Sequence, residues 1–367
     1  MAAPYDICIR GAGVVGRALA LLLARDRLRV GLVDTPDPAA AGDVRAYAMN
    51  AASRELLSQL RAWPDEAQAT TPVLRMEVHA DEGACVRFHA QDQGAEALAW
   101  IAGAAALQGR LREAVRYQPG IEMLSEPAQA TLSVICEGKA SASRASLGVH
   151  YDVTRYSQHA IAARLSCELP HGQVARQWFA NGEVLALLPL DGPQGRAVAL
   201  VWSVPQERAG ALLALPAAEF EERLTQASHH SLGRLTLASE RAGWPLQLAK
   251  ASRWCGPGWV LAGDAAHTVH PLAGQGLNLG LADAQELARV LHAREYWRSV
   301  GDERLLRRYE RARKAQVATM QLATDGLQQL FAHDAPAVGW LRQWGLRGFD
   351  RLSPLKQWAA RQAAGRL

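Results

Sequence analysis

Residues 263–283 read GDAAHTVHPLAGQGLNLGLAD, and the interpretation of the whole chain turns on them. The apolar approach Trp259-Val260-Leu261-Ala262 predicts a buried strand running into Gly263-Asp264. A loop then stops at Pro271, and Gly274, Gly276 and Gly280 surround the start of a predicted helix. A glycine-rich loop opening a helix presents unpaired backbone N–H groups and the positive end of the helix dipole. That suits a phosphate or an anionic ring edge, and missing β-carbons let a flat ligand lie close to the backbone. Asp264, just past the strand, is placed to accept hydrogen bonds from sugar hydroxyls. The plainer reading is a helix start with ordinary turn glycines.

A second nucleotide signal at the other end of the chain argues against the plainer reading. Residues 5–10 form a strand-like run, followed by Gly11-Ala12-Gly13-Val14-Val15-Gly16 and an Ala/Leu-rich helix over 17–24. A further strand over 28–33 ends in Asp34, 23 residues beyond Gly11. Strand, tight turn, helix, strand and acidic residue, in that order, make a dinucleotide fingerprint. The six glycine-turn residues alone would carry little weight.

The two motifs resemble those of the FAD-dependent aromatic-ring hydroxylases (class A flavoprotein monooxygenases), and within them the UbiH-like hydroxylases of ubiquinone biosynthesis. GDAAHTVHPLAGQGLNLG reads as that family's signature, and the resemblance extends over nearly all 367 residues. Val44-Arg45-Ala46-Tyr47-Ala48 resembles the opening of the family's arginine-containing helix, continuing here over 50–63. Tyr156-Ser157-Gln158-His159-Ala160 and Ala186-Leu187-Leu188-Pro189-Leu190 resemble its substrate-domain strands. Val201-Trp202-Ser203, Trp244-Pro245-Leu246, Tyr309-Glu310-Arg311-Ala312-Arg313 and Pro354-Leu355-Lys356 follow in family order. One motif departs. Where the family has Asp-Gly followed by a serine and an arginine, this chain reads Cys136-Glu137-Gly138-Lys139-Ala140-Ser141-Ala142-Ser143-Arg144. Glutamate keeps the charge on an arm one methylene longer. The region 117–135 is also short, with strands expected at 121–124 and 131–136 and none of the family's extra strands between them.

The resemblance implies an α/β fold in which a Rossmann-like FAD-binding domain (1–72, 101–148 and 249–330) interleaves with a β-sheet substrate domain (73–100 and 149–248). A helical segment, 331–367, would close the chain. It implies FAD as cofactor, with NADPH or NADH as a visiting co-substrate. A C4a-hydroperoxyflavin would pass one oxygen atom of O2 to the ring of a polyprenylated phenol. By motif match, Gly11, Gly13 and Gly16 would admit the pyrophosphate, Asp34 would hold the adenosine ribose, and Arg45 and Glu137 would lie near the cofactor. Gly263 and Asp264 would meet the ribityl chain. Pro271, Gly274, Gln275, Gly276, Leu277 and Asn278 would form the loop beside the flavin ring. His267 and His270 are the candidates for a general base, with a loop-shaping role as the alternative.

Composition bounds the remaining choices. Hydrophobic content of 49% and charged content of 21% describe a globular chain. Forty basic against 36 acidic residues leave a net charge of +4, too mild to imply nucleic acid. Five cysteines are scattered without a CxxC pair, and no signal peptide is visible, which together predict a cytoplasmic protein. No metal site is expected, since His229-His230 stands without cysteine or carboxylate neighbours. Apolar runs fall far short of the ~18 residues that span a bilayer.

Along the chain, hairpin strands are expected at 73–79 and 84–89 and a helix at 104–116 from its Leu107/Leu111/Val115 spacing. Residues 149–248 read as strands, with a turn at Asp191-Gly192-Pro193 and one helix at 217–227. Helices are expected at 303–330 and about 338–364. The six basic residues within 304–314 read as a solvated helix face. Trp340, Trp344, Phe349 and Trp358 alternate with Arg342, Arg347 and Arg351, either as a core-facing helix or as a contact with the inner face of the membrane. Other ubiquinone-biosynthesis proteins are further candidate partners, and a homo-oligomer is left open. Two other functions stay open beside the hydroxylase. One is an FAD-binding scaffold subunit without turnover, motivated by Glu137 and the short 117–135 region. The other is a hydroxylase of a soluble aromatic compound.

Overall fold

The computed structural model describes residues 4–34, 43–79, 85–269 and 275–332, with side chains through residue 319. A six-stranded sheet forms around the N-terminal fingerprint. Tyr5–Arg10 and Val30–Val33 run parallel, connected through helix α1 (Val14–Arg25). Every residue of Val30–Val33 is buried, the near-continuous apolar run that a parallel strand covered on both faces requires. Ala130–Ile135 and then Trp259–Leu261 add in parallel on the far side of Tyr5–Arg10, and Ile121–Leu124 flanks Val30–Val33. Cys255–Gly256 closes that edge antiparallel. The chain passes from Ile121–Leu124 to Ala130–Ile135 in five residues, as the short 117–135 region predicts.

The other helices are α2 (Ala51–Gln59), α3 (Ala104–Arg116), α4 (Ala142–Ser146), α5 (Gln206–Ala214), α6 (Ala217–Ala227), α7 (Gly276–His292) and α8 (Glu303–Ala332). A nine-stranded sheet is built on the long strand Tyr151–Cys167, which pairs antiparallel with Ala197–Pro205 on one side and Ala242–Ala251 on the other. Glu183–Leu190 pairs with Ala197–Pro205 across the expected turn, followed outward by Val174–Ala180, Arg75–His79 and Cys85–His89. On one face, α5 and α6 bury Leu212, Phe220 and Leu224 against Trp178, Leu185 and Trp202. Full burial of each such side chain contributes roughly 1.5–3 kcal/mol. A small antiparallel sheet of Ala46–Met49, Ala99–Gly103 and Thr70–Val73 packs on the opposite face, with Val73 and Ile101 against Ala175, Leu190 and Ala199.

Three expectations are corrected. The Arg45 segment does not open a helix: Ala46–Met49 is a strand paired with Ala99–Gly103. Asn50, in extended conformation, accepts the Ser53 N–H at 2.8 Å and so caps α2, which cannot start before residue 51. Residues 149–248 hold two helices rather than one, because Pro205 ends a strand and stands at the N-cap of α5, as Pro216 does for α6. The basic face of 304–314 is not wholly solvated: Arg313 is 2% exposed and paired in the core. The segment from 338 to 364, with its tryptophans and arginines, lies outside the described residues.

Candidate active site

Five strand ends make the site. Across the six-stranded sheet, Leu261, Ile135, Arg10, Val33 and Leu124 form one row of register partners. The loops that follow, beginning at Ala262, Cys136, Gly11, Asp34 and Ser125, therefore leave the sheet side by side at its carboxyl edge. That edge is where open parallel sheets hold ligands.

The glycines at this edge do different jobs. Gly11 has φ +105°, and a β-carbon there would sit 2.5 Å from the Cys136 carbonyl oxygen. A β-carbon at Gly16 would sit 2.0 Å from the Gly11 oxygen, so both residues are required for the turn itself. At Gly13 a β-carbon would meet no protein atom within 4 Å. That opening faces a cavity of about 1060 Å³ lined by Gly11, Gly13, Asp34, Glu137, Gly263 and Asp264. Backbone N–H groups of a helix-opening turn, facing a space that only a missing β-carbon leaves free, fit a pyrophosphate.

Asp264 is the second point of fit. Burial raises its carboxyl above the usual range, against the opposing pull of Lys139, His267 and Arg45. Among the described residues its carboxylate has no hydrogen-bond donor, while its backbone oxygen accepts Tyr151 Oη at 2.8 Å. A desolvated carboxylate without donors, aimed into a cavity, is satisfied by ligand hydroxyls. Arg45 lines the cavity with its guanidinium held by Asp43, Nε at 2.8 Å and Nη2 at 2.7 Å. Asp34 accepts Arg17 Nη2 at 2.9 Å, and Arg17 is itself buried.

Glu137 also lines the cavity, and both of its carboxylate oxygens are bonded within the protein. It accepts Ser141 Oγ at 2.7 Å, the Ser143 N–H at 3.0 Å and Ser143 Oγ at 2.5 Å. Burial would raise this acid, but the bonds from Ser143 and Ser141 hold it below the usual carboxylate range. The longer arm of glutamate is what reaches both serines at the start of α4.

The far wall belongs to the face of the nine-stranded sheet on which the small sheet also packs. Register places Ala162, Val201, Ala186 and Gln177 in one cross-strand row, with Leu188, Ala175 and Met76 alongside and Ser203 and Trp244 beyond. These side chains are small or apolar apart from Gln177 and Ser203.

Of the residues expected at the site, Gly11, Gly13, Asp34, Arg45, Glu137, Gly263, Asp264, Gly276 and Leu277 line the one cavity. Gly16 stands behind it. Asn278 is turned away: its Oδ1 accepts the Asn50 N–H at 3.1 Å and its Nδ2 donates to the Ala48 oxygen at 2.8 Å. Gln275 accepts from Asn278 at 3.3 Å. His267 is 2% exposed and bonded to Asp283 at 2.7 Å, so it does not reach the cavity as a base. His270, Pro271 and Gly274 lie outside the described residues. Sequence reasoning missed Arg17, Gln108, Arg112, Ser125 and Lys139 on the cofactor side, and on the expected substrate sheet it did not say which side chains line the cavity. Gln108 and Arg112 are four apart on amphipathic α3, a spacing that could have marked a shared face. Gln177 carried no local signal, and Ser203 stood in a quoted motif without an assigned role.

This fold, with a cavity at the carboxyl edge of its parallel sheet, is shared with solved structures. The crystal structure of p-nitrophenol 4-monooxygenase PnpA from Pseudomonas putida matches with a TM-score of 0.79 at 16% identity, covering 100% of both chains. P. aeruginosa PqsL in complex with 2-aminobenzoylacetate matches at 0.79 and 22% identity, over 94% of this chain and 99% of that one. At those identities the likeness concerns fold alone. The FAD binding domain family matches residues 124–324. The ubiquinone hydroxylase UbiL of Rhodospirillum rubrum is 31% identical over 99% of this chain and 90% of its own length. The 3-demethoxyubiquinol 3-hydroxylase of Escherichia coli is 31% identical over 99% of each. The chain belongs to this UbiH-like family of FAD hydroxylases, aromatic-ring monooxygenases of a class that typically uses NAD(P)H as co-substrate. No helix among the described residues is long and apolar enough to cross a membrane.

Proposed function

We propose that this enzyme hydroxylates the ring of a polyprenylated phenol on the route to ubiquinone. The carrying observation is one continuous cavity that joins the dinucleotide loops to an apolar sheet face. FAD, when bound, supplies the redox and oxygen-transfer chemistry. The chain's own residues do the holding. Gly11, Gly13 and Gly16 make room for the pyrophosphate, Asp34 takes the ribose, and Asp264 takes hydroxyls of the ribityl chain. The N-terminal end of α7 favours negative charge on the flavin's pyrimidine edge. Of the described residues, those within 1–72, 101–148 and 249–330 are assigned to the cofactor side, and those within 73–100 and 149–248 to the substrate side.

A neutral, greasy ring suits the row Ala162, Val201, Ala186 and Gln177, and the neighbouring cation in the lining, Arg176, is already engaged by Glu77 at 3.4 Å and the His171 oxygen at 3.2 Å. The names of the two relatives, a ubiquinone hydroxylase and a demethoxyubiquinol hydroxylase, support a lipid quinol. Such a substrate partitions into membranes at about 0.8 kcal/mol per buried CH₂, so the enzyme works in the cytoplasm at the inner membrane face or takes its substrate from a partner. The test is FAD-reconstituted protein given NADPH or NADH, O2 and either a short-tailed demethoxyubiquinol or a soluble hydroxybenzoate. Product carrying one atom from labelled O2, with the quinol only, is expected. Flavin-bound protein that consumes no NAD(P)H in response to either compound would instead be a scaffold.

A further inference from the structure

A buried ion network sits behind the flavin turn, outside the cavity. Asp283 on α7 is 0% exposed, and three donors meet its carboxylate. Oδ2 accepts His267 Nε2 at 2.7 Å and the Gly263 N–H at 2.9 Å; Oδ1 accepts Arg313 Nε at 2.6 Å. A carboxylate only accepts here, so the proton of His267 is on Nε2. Trp254 stacks on the imidazole with ring centroids 4.9 Å apart. Arg313 completes its set by donating Nη2 to the Leu279 oxygen at 3.0 Å and Nη1 to Gln316.

A second bond reaches the same turn from the same helix. Tyr309, fully buried, donates to the Leu261 oxygen at 3.0 Å. Tyr309 and Arg313 are four apart, hence on one face of α8. That face thus grips the end of strand Trp259–Leu261 at Leu261 directly and at Gly263 through Asp283. Gly263 has φ +62°, a conformation few other residues adopt, and the next residue is Asp264. Fixing the carbonyl two residues before Gly263 and the N–H of Gly263 itself fixes where the Asp264 side chain points.

We propose that Tyr309, Arg313 and Asp283 are positioning residues for the cofactor: they make α8 a strut that aims Asp264 at the flavin half of FAD. The inference rests on the assignment of Asp264 to the ribityl chain, and it leaves the adenosine half, held at Gly11–Gly16 and Asp34, independent of α8. Two ligands separate the halves. FAD needs both, whereas ADP needs only the adenosine side.

The experiment measures dissociation constants of FAD and ADP, with apoprotein melting temperatures, for wild type, Tyr309→Phe, Arg313→Lys, Asp283→Asn and Asp264→Ala. Tyr309→Phe keeps the ring and Arg313→Lys keeps the charge, so these carry the test even where Asp283→Asn does not fold. Loss of one such bond is expected to weaken FAD binding roughly tenfold, with ADP affinity within twofold of wild type. Unchanged FAD affinity in folded Tyr309→Phe and Arg313→Lys overturns the strut. Equal losses for FAD and ADP also overturn it, because general loosening of the fold would then suffice. Asp264→Ala is the separate control: if it binds FAD as wild type does, the assignment of Asp264 fails, whatever α8 does.

Discussion

The two walls of the cavity are built by opposite means. The cofactor wall gathers loops from five strand ends and is dense in charge: Arg17, Asp34, Arg45, Glu137, Lys139 and Asp264. The substrate wall is regular sheet, mostly small or apolar side chains with the neutral Gln177 and Ser203, and its one arginine, Arg176, is paired with Glu77 at 3.4 Å. Loops supply backbone N–H groups and charges that a phosphate or sugar needs. A sheet ladder has already spent its backbone groups and offers only a shaped surface. A flavoenzyme needs both, because the cofactor must be recognised polar group by polar group while a lipid ring needs only room and orientation.

The sharpest way to break the comparison is inside the glycine turn. Gly16→Val forces a side chain onto the Gly11 oxygen, an overpacking that typically costs about 1–3 kcal/mol and here meets rigid backbone. At Gly13 the β-carbon of a valine meets no protein atom within 4 Å, so Gly13→Val should fold and yet lose flavin. Thermal unfolding of the two apoproteins beside their flavin content separates these outcomes. A folded, yellow Gly13→Val protein would refute the pyrophosphate assignment.

Asp264→Asn should weaken FAD binding by about 1.5–3 kcal/mol, the range for a hydrogen bond to a charged group. Without cofactor the sign reverses. Burial raises the Asp264 carboxyl in the folded chain, so its ionised form is disfavoured there. Wild-type apoprotein therefore loses stability as pH rises through that raised value, and the asparagine form does not. The variant apoprotein should melt higher at neutral pH, and the advantage should vanish below the ordinary aspartate value near 3.8. Equal melting temperatures at pH 7 would mean the carboxylate is satisfied by the protein.

On the sheet wall, Ala186→Phe fills the middle of the cross-strand row. FAD affinity should be unchanged, while kcat/KM for the lipid quinol falls roughly tenfold or more. Parallel loss of both would show that the walls are not separable. The smallest effect is expected from Glu137→Asp. The shorter arm gives up one of its serine bonds, about 0.5–1.5 kcal/mol, seen as a drop of a few degrees in melting temperature. Cofactor affinities should stay within twofold. A larger change in FAD or NAD(P)H binding would give Glu137 a direct role beside its three protein bonds.

How much of this was legible beforehand differs between the walls in the same way. The fingerprint at Gly11–Asp34 and the turn at Gly263-Asp264 could be read directly, because a glycine with φ +105° or +62° and an acid at a strand end are local requirements of the chain. The helix spacing of α3 and the turn at 191–193 were legible for the same reason. The opening of α2 was misplaced, since Val44–Ala48 satisfies helix and strand patterns alike and only pairing with Ala99–Gly103 decides between them.

Thus sequence by itself determined the class of cofactor, much of the order of strands and helices around it, and the glycines and acids at Gly11–Asp34 and Gly263-Asp264 that line the cavity. Tertiary structure alone decided the rest. The row Ala162, Val201, Ala186, Gln177 joins residues from four strands, and no local pattern sets its register. His267 offered itself as a base and Arg313 as a surface charge, yet both are buried on Asp283. Charge and residue type are properties of the sequence, but burial belongs to the packed chain, and it is burial that turns an arginine into a strut and a histidine into its brace.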